Sequence, residues 1–350
     1  MNTLFTHPIS LQELGWKHYF QQQLTNDELD NAVIARVIGH HRSGYDLCTS
    51  QHEIHMAHHH QYPPITVGDW LLVDSDYRLL RVLERTSLFQ RKAPGSARQQ
   101  QLIAANVDTV FIVSSLNHDF NLSRIERYLT LVRDSQSQPV IVLTKQDLAD
   151  DVYALCHQVQ KLDASLMVET VNALDAQSVQ GLLAWCQTGQ TVALLGSSGV
   201  GKSTLINTLL ASDTQQTGGI REDDSKGRHT TTARSIHKMP MGALLIDTPG
   251  MRELQLAGSE QSLAHAFGDI EALSEQCRFS DCQHQTEPGC AVQQAIQQGS
   301  LDVRRLENYA KLQREQAFNT STLAERRQKG REFNKHVRSV ISQKQWLKGE

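Results

Sequence analysis

The segment that most constrains the fold of this 350-residue chain is LLGSSGVGKSTLINTLL, at residues 194–210. It contains the Walker A pattern Gly-x4-Gly-Lys-Ser, with an apolar strand pattern before it and a helical pattern after it. The glycines allow a tight turn that points backbone N–H groups at phosphate oxygens, and the helix N-terminus favours negative charge. Lys202 is expected to reach the β- and γ-phosphates, and Ser203 to ligate Mg2+. The loop residues predicted to hold a nucleotide are Gly196, Ser197, Ser198, Gly199, Val200, Gly201, Lys202, Ser203 and Thr204.

A second motif, TKQD at residues 144–147, ends another apolar strand pattern. The Asp147 carboxylate can accept hydrogen bonds from N1–H and the 2-amino group of guanine, a donor pair that adenine lacks. The aliphatic part of Lys145 can lie along the base. The motif therefore predicts selectivity for GTP over ATP, and the NAL segment after the next strand pattern is expected to contact the same base. The predicted base-binding residues are Thr144, Lys145, Gln146, Asp147, Asn172 and Ala173.

A third motif, DTPG, follows the Walker A loop along the chain. Asp247 is expected to hold the Mg2+ shell, and the Gly250 N–H to meet the γ-phosphate. The polar segment GGIREDDSKGRHTTTAR has the composition of a switch loop, in which we expect Thr231 to ligate Mg2+. Ras-like GTPases place a Gln after DxxG to orient the attacking water, but Met251 stands there. Intrinsic hydrolysis should therefore be slow unless His229 positions the water; the alternative for this residue is an exposed loop histidine.

The motifs stand in an unusual order. TKQD and NAL precede the Walker A loop, and the threonine-rich loop and DTPG follow it. If the Walker A loop and the two motifs after it are moved to the front, the usual order of a GTPase returns. Such a rotation can preserve a fold because domain termini often lie close together. The sequence therefore predicts a circularly permuted GTPase domain, whose switch loop and DTPG are placed to transmit nucleotide state to the next domain.

Three of the six cysteines lie within fourteen positions, in the pattern Cys277-x4-Cys282-x-His284-x5-Cys290. In a cytosolic protein such clustering indicates metal binding rather than disulfides. Three thiols and one imidazole supply the complete tetrahedral shell of a structural Zn2+ site, with no open position for hydrolytic chemistry. We therefore predict one structural Zn2+ held by these four residues. The alternative is a chance grouping of cysteines in a helical region.

Charge and hydropathy bear on the partners of the protein and on its location in the cell. The formal net charge is −4, which argues against wholesale nucleic-acid coating. The segment from Arg304 to Glu350 nevertheless carries a net charge of +7. This predicts a basic arm on an acidic body, unless the charges line a solvated helix face. We find no run of about eighteen apolar residues and no signal-peptide pattern, so we predict a cytoplasmic protein that does not enter a membrane.

The rest of the chain predicts a multidomain α/β plus β architecture. LQELGWKHYFQQQL, in residues 11–24, is weakly amphipathic and predicts a helical extension. Short segments rich in Val, Ile and Leu from Ala32 onward predict about five strands in a small closed barrel, with an OB-fold as the leading candidate. VDTVFIVSSL, PVIVLTKQDL and LMVETVNALD predict buried parallel strands alternating with helices. The predicted limits are 1–31 for the extension, 32–105 for the OB-fold, 106–258 for the permuted GTPase domain and 259–350 for a zinc-binding, basic helical domain.

Six segments of the chain resemble those of one known family: QLIAANVDTVFIVSSLNHDFNLSRIERYL, TKQDL, GSSGVGKSTLIN, GRHTTTAR, IDTPGMRE and CRFSDCQHQTEPGCAV. Over residues 32–345 the chain is similar to the RsgA (YjeQ) family of circularly permuted GTPases. The resemblance implies an N-terminal OB-fold, the permuted GTPase domain and a C-terminal helical domain with zinc on the four residues above. It also implies late maturation of the small (30S) ribosomal subunit, GTP hydrolysis stimulated by that subunit, and a catalytic role for His229.

The chain departs from the family at its N-terminus, where some members carry a long basic arm and this sequence has a short, nearly neutral segment. We therefore expect the basic segment from Arg304 to contribute more of the electrostatic attraction to rRNA. The expected activity is that of a GTP phosphohydrolase that binds GTP and GDP and acts as a monomer on the small subunit. Two alternatives remain. One is a nucleotide-gated RNA-binding scaffold in which hydrolysis is incidental; the other is a P-loop ATPase or kinase, against which Asp147 argues.

Overall fold

The computed structural model describes residues 5, 7–92, 100–211, 234–247 and 260–320. The helices are α1 (His18–Gln21), α2 (Asn26–Asn31), α3 (Leu122–Asp134), α4 (Val152–Gln160), α5 (Lys202–Leu210), α6 (Glu260–Ala266), α7 (Gly268–Ser274), α8 (Ala291–Gln297) and α9 (Val303–Thr320). The strands are β1 (Val33–His40), β2 (Gly44–Cys48), β3 (Glu53–Ala57), β4 (Trp70–Val73), β5 (Leu79–Val82), β6 (Leu88–Lys92), β7 (Gln100–Ala105), β8 (Thr109–Ser115), β9 (Gln138–Thr144), β10 (Met167–Val171), β11 (Thr191–Gly196), β12 (Arg234–Lys238) and β13 (Leu244–Asp247). None of the described helices is long and apolar enough to cross a membrane.

The α/β part of the chain is built on strands in the order β10-β9-β8-β11-β13-β12. The first five are parallel to their neighbours, and β12 runs antiparallel to β13. The central strands β8 and β11 are buried along their whole length, as parallel strands in the middle of such a sheet should be. Since β8 lies between β9 and β11, the carboxyl ends of all three meet at one edge of the sheet. TKQD and the Walker A loop, which follow β9 and β11, therefore converge there.

Two strands differ from the sequence-based expectation. β10, predicted to be buried, lies at the end of the sheet, and its Met167 side chain is 54% exposed. β12 was not predicted as a strand, and it joins the α/β sheet to β1 through Gly39 opposite Ser235 and His40 opposite Arg234. One continuous sheet therefore connects the two β-rich parts of the chain.

Strands β1–β5 form the antiparallel unit predicted to be an OB-fold. The first half of β1 pairs with β4 and the second half pairs with β2, with a bulge between Val37 and Gly39. β2 also pairs with β3, and β4 with β5. A bulged strand that changes partners along its length is typical of small barrels. The β6–β7 hairpin that follows was not predicted from the sequence.

The N-terminal segment is less helical than predicted. α1 contains only four residues, and the turn before it places Gly15 at a φ of +87°. A Cβ at Gly15 would clash with the guanidinium of Arg36, which is fully buried. This guanidinium donates to Leu14 O, and its Nη2 donates to Thr191 Oγ1 at 2.9 Å. Leu14 and Phe20 are themselves buried in the main core. Tertiary burial therefore overrides the weak helical pattern, and Arg36 ties this segment to both the β1–β5 unit and the α/β sheet. The predicted domain limits stay predictions.

Candidate functional site

The phosphate-binding loop joins β11 to α5. β11 ends at Gly196, where a Cβ would clash with Val113 O on β8, so this close approach requires glycine. Gly201 precedes α5 with a φ of +93°, a left-handed conformation that glycine adopts without strain. The Lys202 side chain is buried, and its Nζ donates to Gly196 O at 2.8 Å and to Ser197 O. The ammonium group therefore lies within the loop that the Walker A pattern predicts to hold phosphates.

TKQD lies directly against this loop. Thr144 is fully buried, and its Oγ1 donates to Val200 O at 2.6 Å. Lys145, in a left-handed conformation with a φ of +58°, donates from Nζ to Gly199 O at 2.9 Å. Asp147 lies in the short 3₁₀ turn that follows, with its side chain exposed. Two motifs that are far apart in the chain thus contact each other, which is the arrangement that a permuted GTPase order requires.

The NAL loop after β10 is linked by hydrogen bonds to α5 and to TKQD. Thr208 of α5 donates from Oγ1 to Ala173 O at 2.6 Å. Ser178, which the sequence analysis did not select, accepts hydrogen bonds at Oγ from Asn172 N–H at 2.8 Å and from Gln146 Nε2 at 2.9 Å. Ser178 therefore links the NAL loop to TKQD, and Thr208 links it to the helix that begins at the phosphate loop.

Two residues of α3 that the sequence analysis did not select contact the phosphate loop. Arg124 donates from Nη1 to Ser197 Oγ at 3.0 Å, and the Asp119 carboxylate accepts from the same Nη1 at 3.1 and 3.2 Å. The Tyr128 hydroxyl lies 3.3 Å from Ser197 Oγ. Arg124 and Tyr128 are four positions apart and so project from one face of the helix. The segment SRIERYL carries an ordinary helical pattern, which gives no sign of this contact.

Asp247 and Ser203 are the described candidates for holding Mg2+. Asp247 ends β13, the neighbour of β11, and Ser203 is the second residue of α5; both side chains are half-buried. A carboxylate and a hydroxyl are oxygen donors of the kind that Mg2+ prefers. His229, Thr231 and Gly250 lie outside the described residues, so their predicted roles stay predictions.

The four predicted zinc ligands come together. Ligand atoms of Cys277, Cys282, His284 and Cys290 all lie within 4.8 Å of one another. The Sγ atoms of Cys277 and Cys290 are 3.9 Å apart, and His284 Nδ1 lies 3.7 and 3.5 Å from them. A tetrahedral Zn2+ with bonds of about 2.3 Å to sulfur and about 2.0 Å to nitrogen has S···S edges of about 3.8 Å and S···N edges of about 3.5 Å. The donor set and its spacing therefore fit one Zn2+.

Residues around this cluster favour the binding of a cation by its thiols and imidazole. Ser274 Oγ donates to a backbone carbonyl of α7, so it accepts the 3.0 Å hydrogen bond from His284 Nε2. With the proton on Nε2, the Nδ1 lone pair faces the thiols, as a metal ligand requires. Burial acts against ionisation of the Cys277 thiol, but the N–H groups of Val292 and Ala291 at the start of α8 lower its pKa overall. The sequence analysis did not select Ser274.

Comparisons with known proteins agree with this geometry. The family model described as RsgA GTPase matches residues 82–257. A relative from Vibrio parahaemolyticus, named small ribosomal subunit biogenesis GTPase RsgA 2, is 62% identical over 343 residues, which cover 98% of this chain and 96% of the relative. A relative from Mesorhizobium japonicum, named small ribosomal subunit biogenesis GTPase RsgA, is 46% identical over 318 residues, which cover 89% of this chain and 91% of the relative. The chain belongs to the RsgA GTPase family.

Two solved structures share its fold. YjeQ from Thermotoga maritima matches with a TM-score of 0.59 and 24% identity, covering 82% of this chain and 99% of that one. YloQ, described as a circularly permuted GTPase, matches with a TM-score of 0.57 and 24% identity, covering 83% and 97%. These likenesses confirm the predicted fold class, and membership of the RsgA GTPase family confirms the predicted enzyme class, a GTP phosphohydrolase.

Proposed function

We propose that this RsgA-family GTPase binds the small (30S) ribosomal subunit and assists its late maturation. It would hydrolyse GTP slowly alone and faster on the subunit. The observation that carries the proposal is the near-complete coverage of the chain by relatives named small ribosomal subunit biogenesis GTPase RsgA, at 98% and 89% of its length. The likeness therefore extends across the β1–β5 unit, the nucleotide motifs and the cysteine cluster together.

The nucleotide would lie at the edge of the sheet where β9 and β11 end. Backbone N–H groups of the Walker A loop would bind the phosphates, and Lys202, already fixed inside the loop, would neutralise their charge. Asp147 would read guanine from its exposed position beside the loop. Ser203 and Asp247 would hold Mg2+, which when bound offsets the negative charge on the phosphates.

Base selection gives a direct test of this placement. The substitution Asp147→Asn replaces one carboxylate oxygen with an amide group that donates hydrogen bonds. The variant should therefore lose affinity for GTP. It should gain affinity for xanthosine triphosphate, whose base carries an oxygen at the 2-position. Competition binding with a fluorescent nucleotide measures both changes. Asp150→Asn, an exposed aspartate just beyond the motif, is the matched control. An Asp147→Asn protein that still prefers GTP to xanthosine triphosphate contradicts the assignment.

Slow intrinsic hydrolysis is proposed from residue chemistry. Met251 occupies the position of the water-orienting Gln of Ras-like proteins, and a thioether cannot orient water in that way. We propose His229 for this task and Thr231 as the γ-phosphate-sensing ligand of Mg2+. Single-turnover hydrolysis should slow in His229→Ala while nucleotide affinity is kept; wild-type turnover in that variant would remove the proposed role.

The cysteine cluster would hold one structural Zn2+. Cys277, Cys282, His284 and Cys290 together complete a four-coordinate shell, which leaves no position for water or substrate. The ion would join the 277–290 segment to α7, through Ser274, and to α8, which begins directly after Cys290. Its contribution would be to the folding of this region.

The proposed partner is the small subunit and its rRNA, met by a monomer in the cytoplasm. The net charge of +7 between Arg304 and Glu350 supports an electrostatic contribution to rRNA binding. Sedimentation through a sucrose cushion tests this proposal, with purified small or large subunits and protein loaded with GDP or a non-hydrolysable GTP analogue. The analogue-loaded protein should pellet with small subunits, less so as salt rises, and not with large subunits. Equal pelleting with both subunits would contradict the proposal.

A scaffold function is the second candidate, favoured by Met251 in place of the catalytic Gln. In that case the GTP-bound protein would still pellet with small subunits, but the subunits would leave its turnover unchanged.

A further inference from the structure

We infer that α3 couples the phosphate loop to the C-terminal helices, with Arg124 and Tyr128 as positioning residues for the loop. The inference rests on the proposed nucleotide site at the Walker A loop. It differs from the transmission expected from the motif order, which runs through the switch loop and DTPG.

At one end of the connection, Ser197 joins α3 to the lysine of the phosphate loop. Its hydroxyl is contacted by Arg124 Nη1 at 3.0 Å and by the Tyr128 hydroxyl at 3.3 Å, while its backbone carbonyl accepts from Lys202 Nζ. The Asp119 carboxylate fixes the guanidinium of Arg124 from the other side. Ser197 therefore connects α3 to the lysine that would bind the phosphates.

At the other end, α3 is fixed to α9 by a buried carboxylate. Glu126 is 1% exposed and accepts from Arg304 Nη1 and Nη2 at 3.0 and 3.1 Å, from Arg305 Nη1 at 2.8 Å, and from Asn308 Nδ2. Ser123 Oγ also accepts from Arg304 Nη1 at 3.0 Å. Charge-assisted bonds in such a site are strong and directional, so α3 and α9 should move together.

The connection continues to the cysteine cluster through α7. Arg305 donates from Nε and Nη2 to the Asp269 carboxylate, both at 2.7 Å. α7 ends at Ser274, whose hydroxyl holds the imidazole of His284. A chain of hydrogen bonds between helices therefore runs from the phosphate loop to a predicted zinc ligand.

This chain of hydrogen bonds predicts how nucleotide binding changes local opening of the C-terminal helices. If nucleotide binding fixes Ser197, it should also restrain α3, and through Glu126 it should reduce local opening of α9 and α7. The decisive observation is a change in exchange at α9 that depends on the contacts at the phosphate loop.

The test is hydrogen exchange by mass spectrometry on the full chain with and without saturating GDP. Three proteins are compared: the wild type, the double variant Arg124→Leu Tyr128→Phe, and Arg314→Ala. Arg314 is an exposed residue of α9 whose guanidinium bonds a carbonyl of its own helix, so its replacement is the matched control. We expect GDP to slow exchange in α9 and α7 by at least about threefold in the wild type and the control, and by less than about 1.5-fold in the double variant.

Several outcomes overturn the inference. The first is a wild type that binds GDP with no slowing in α9; the second is a double variant that binds GDP and keeps the full slowing. If the double variant does not bind GDP, Glu126→Ala decides, because it removes the carboxylate that Arg304, Arg305 and Asn308 of α9 share: lost slowing supports the coupling, and retained slowing overturns it. A wild type that fails to bind GDP would instead refute the proposed nucleotide site.

Discussion

The buried carboxylate of Glu126 should contribute far more to stability than a partly exposed ion pair between the same two helices. Its side chain is almost completely shielded from water and accepts hydrogen bonds from Arg304, Arg305 and Asn308. Glu126→Ala would leave the guanidinium of Arg305, itself 6% exposed, with the half-exposed Asp269 carboxylate as its remaining acidic partner among the described residues. Removing one partner of a buried charge pair typically costs about 3–5 kcal/mol.

The same helices supply a matched control. Arg127 of α3 and Glu315 of α9 form an ion pair in which each side chain is about a quarter exposed, at 26% and 28%. Because solvent screens such a pair, Glu315→Ala should cost no more than about 1 kcal/mol. Urea unfolding followed by far-ultraviolet circular dichroism gives the change in the free energy of unfolding for each variant. The comparison holds when the m-value of the transition that unfolds α9 is the same as in the wild type. A Glu126→Ala cost below about 1 kcal/mol, or equal to that of Glu315→Ala, would refute the reasoning.

Four further predictions follow from the site and the β1–β5 unit. Lys202→Ala should weaken GTP binding at least about 100-fold, since charge-assisted bonds to phosphate are lost; unchanged affinity by calorimetry would remove the phosphate-loop assignment. Ser178→Ala removes one acceptor shared by two base-site loops and should raise the Kd for GDP about 5- to 100-fold; an effect below about twofold would show that the loops are fixed by other contacts. Cys282→Ser, or chelation, should release one Zn2+ and unfold the cysteine-bearing region while nucleotide binding is largely kept; purified protein without zinc by elemental analysis would contradict this. Burial lowers the pKa of His40 to about 4, so the unfolded chain binds a proton near pH 6.5 that the folded chain refuses. His40 should therefore contribute a loss of stability of about 1–2 kcal/mol as pH drops from 6.5 to 4, and His40→Phe removes this contribution while replacement of the exposed His59 by Phe does not.

The sequence predicts those parts of the site that are formed by residues close together in the chain. The Walker A glycines are needed for a tight turn and a close approach to β8, and Gly196 and Gly201 show both in the structure. Cys277 and Cys290 are close enough in sequence that one short segment brings their Sγ atoms within 3.9 Å of each other. TKQD is the informative intermediate case, because parallel strands place it against a loop that comes later in the chain.

The residues that sequence reasoning missed depend on contacts between distant segments. A lone serine such as Ser178 or Ser274 carries no pattern, and its importance appears only when two loops or a helix and an imidazole meet at its hydroxyl. Arg124 fits an ordinary helix face in the sequence. Gly15 marks a second limit: its turn and the buried Arg36 beside it interrupt the weakly amphipathic pattern from which a helical extension was predicted.

The most direct test of the account is GTP turnover with and without purified small ribosomal subunits, with large subunits and ATP as controls. The proposed guanine site and the proposed small-subunit partner predict slow hydrolysis of GTP alone, strong stimulation by small subunits only, and no comparable turnover of ATP. Stimulation by large subunits to the same degree, or equal use of ATP, would contradict it.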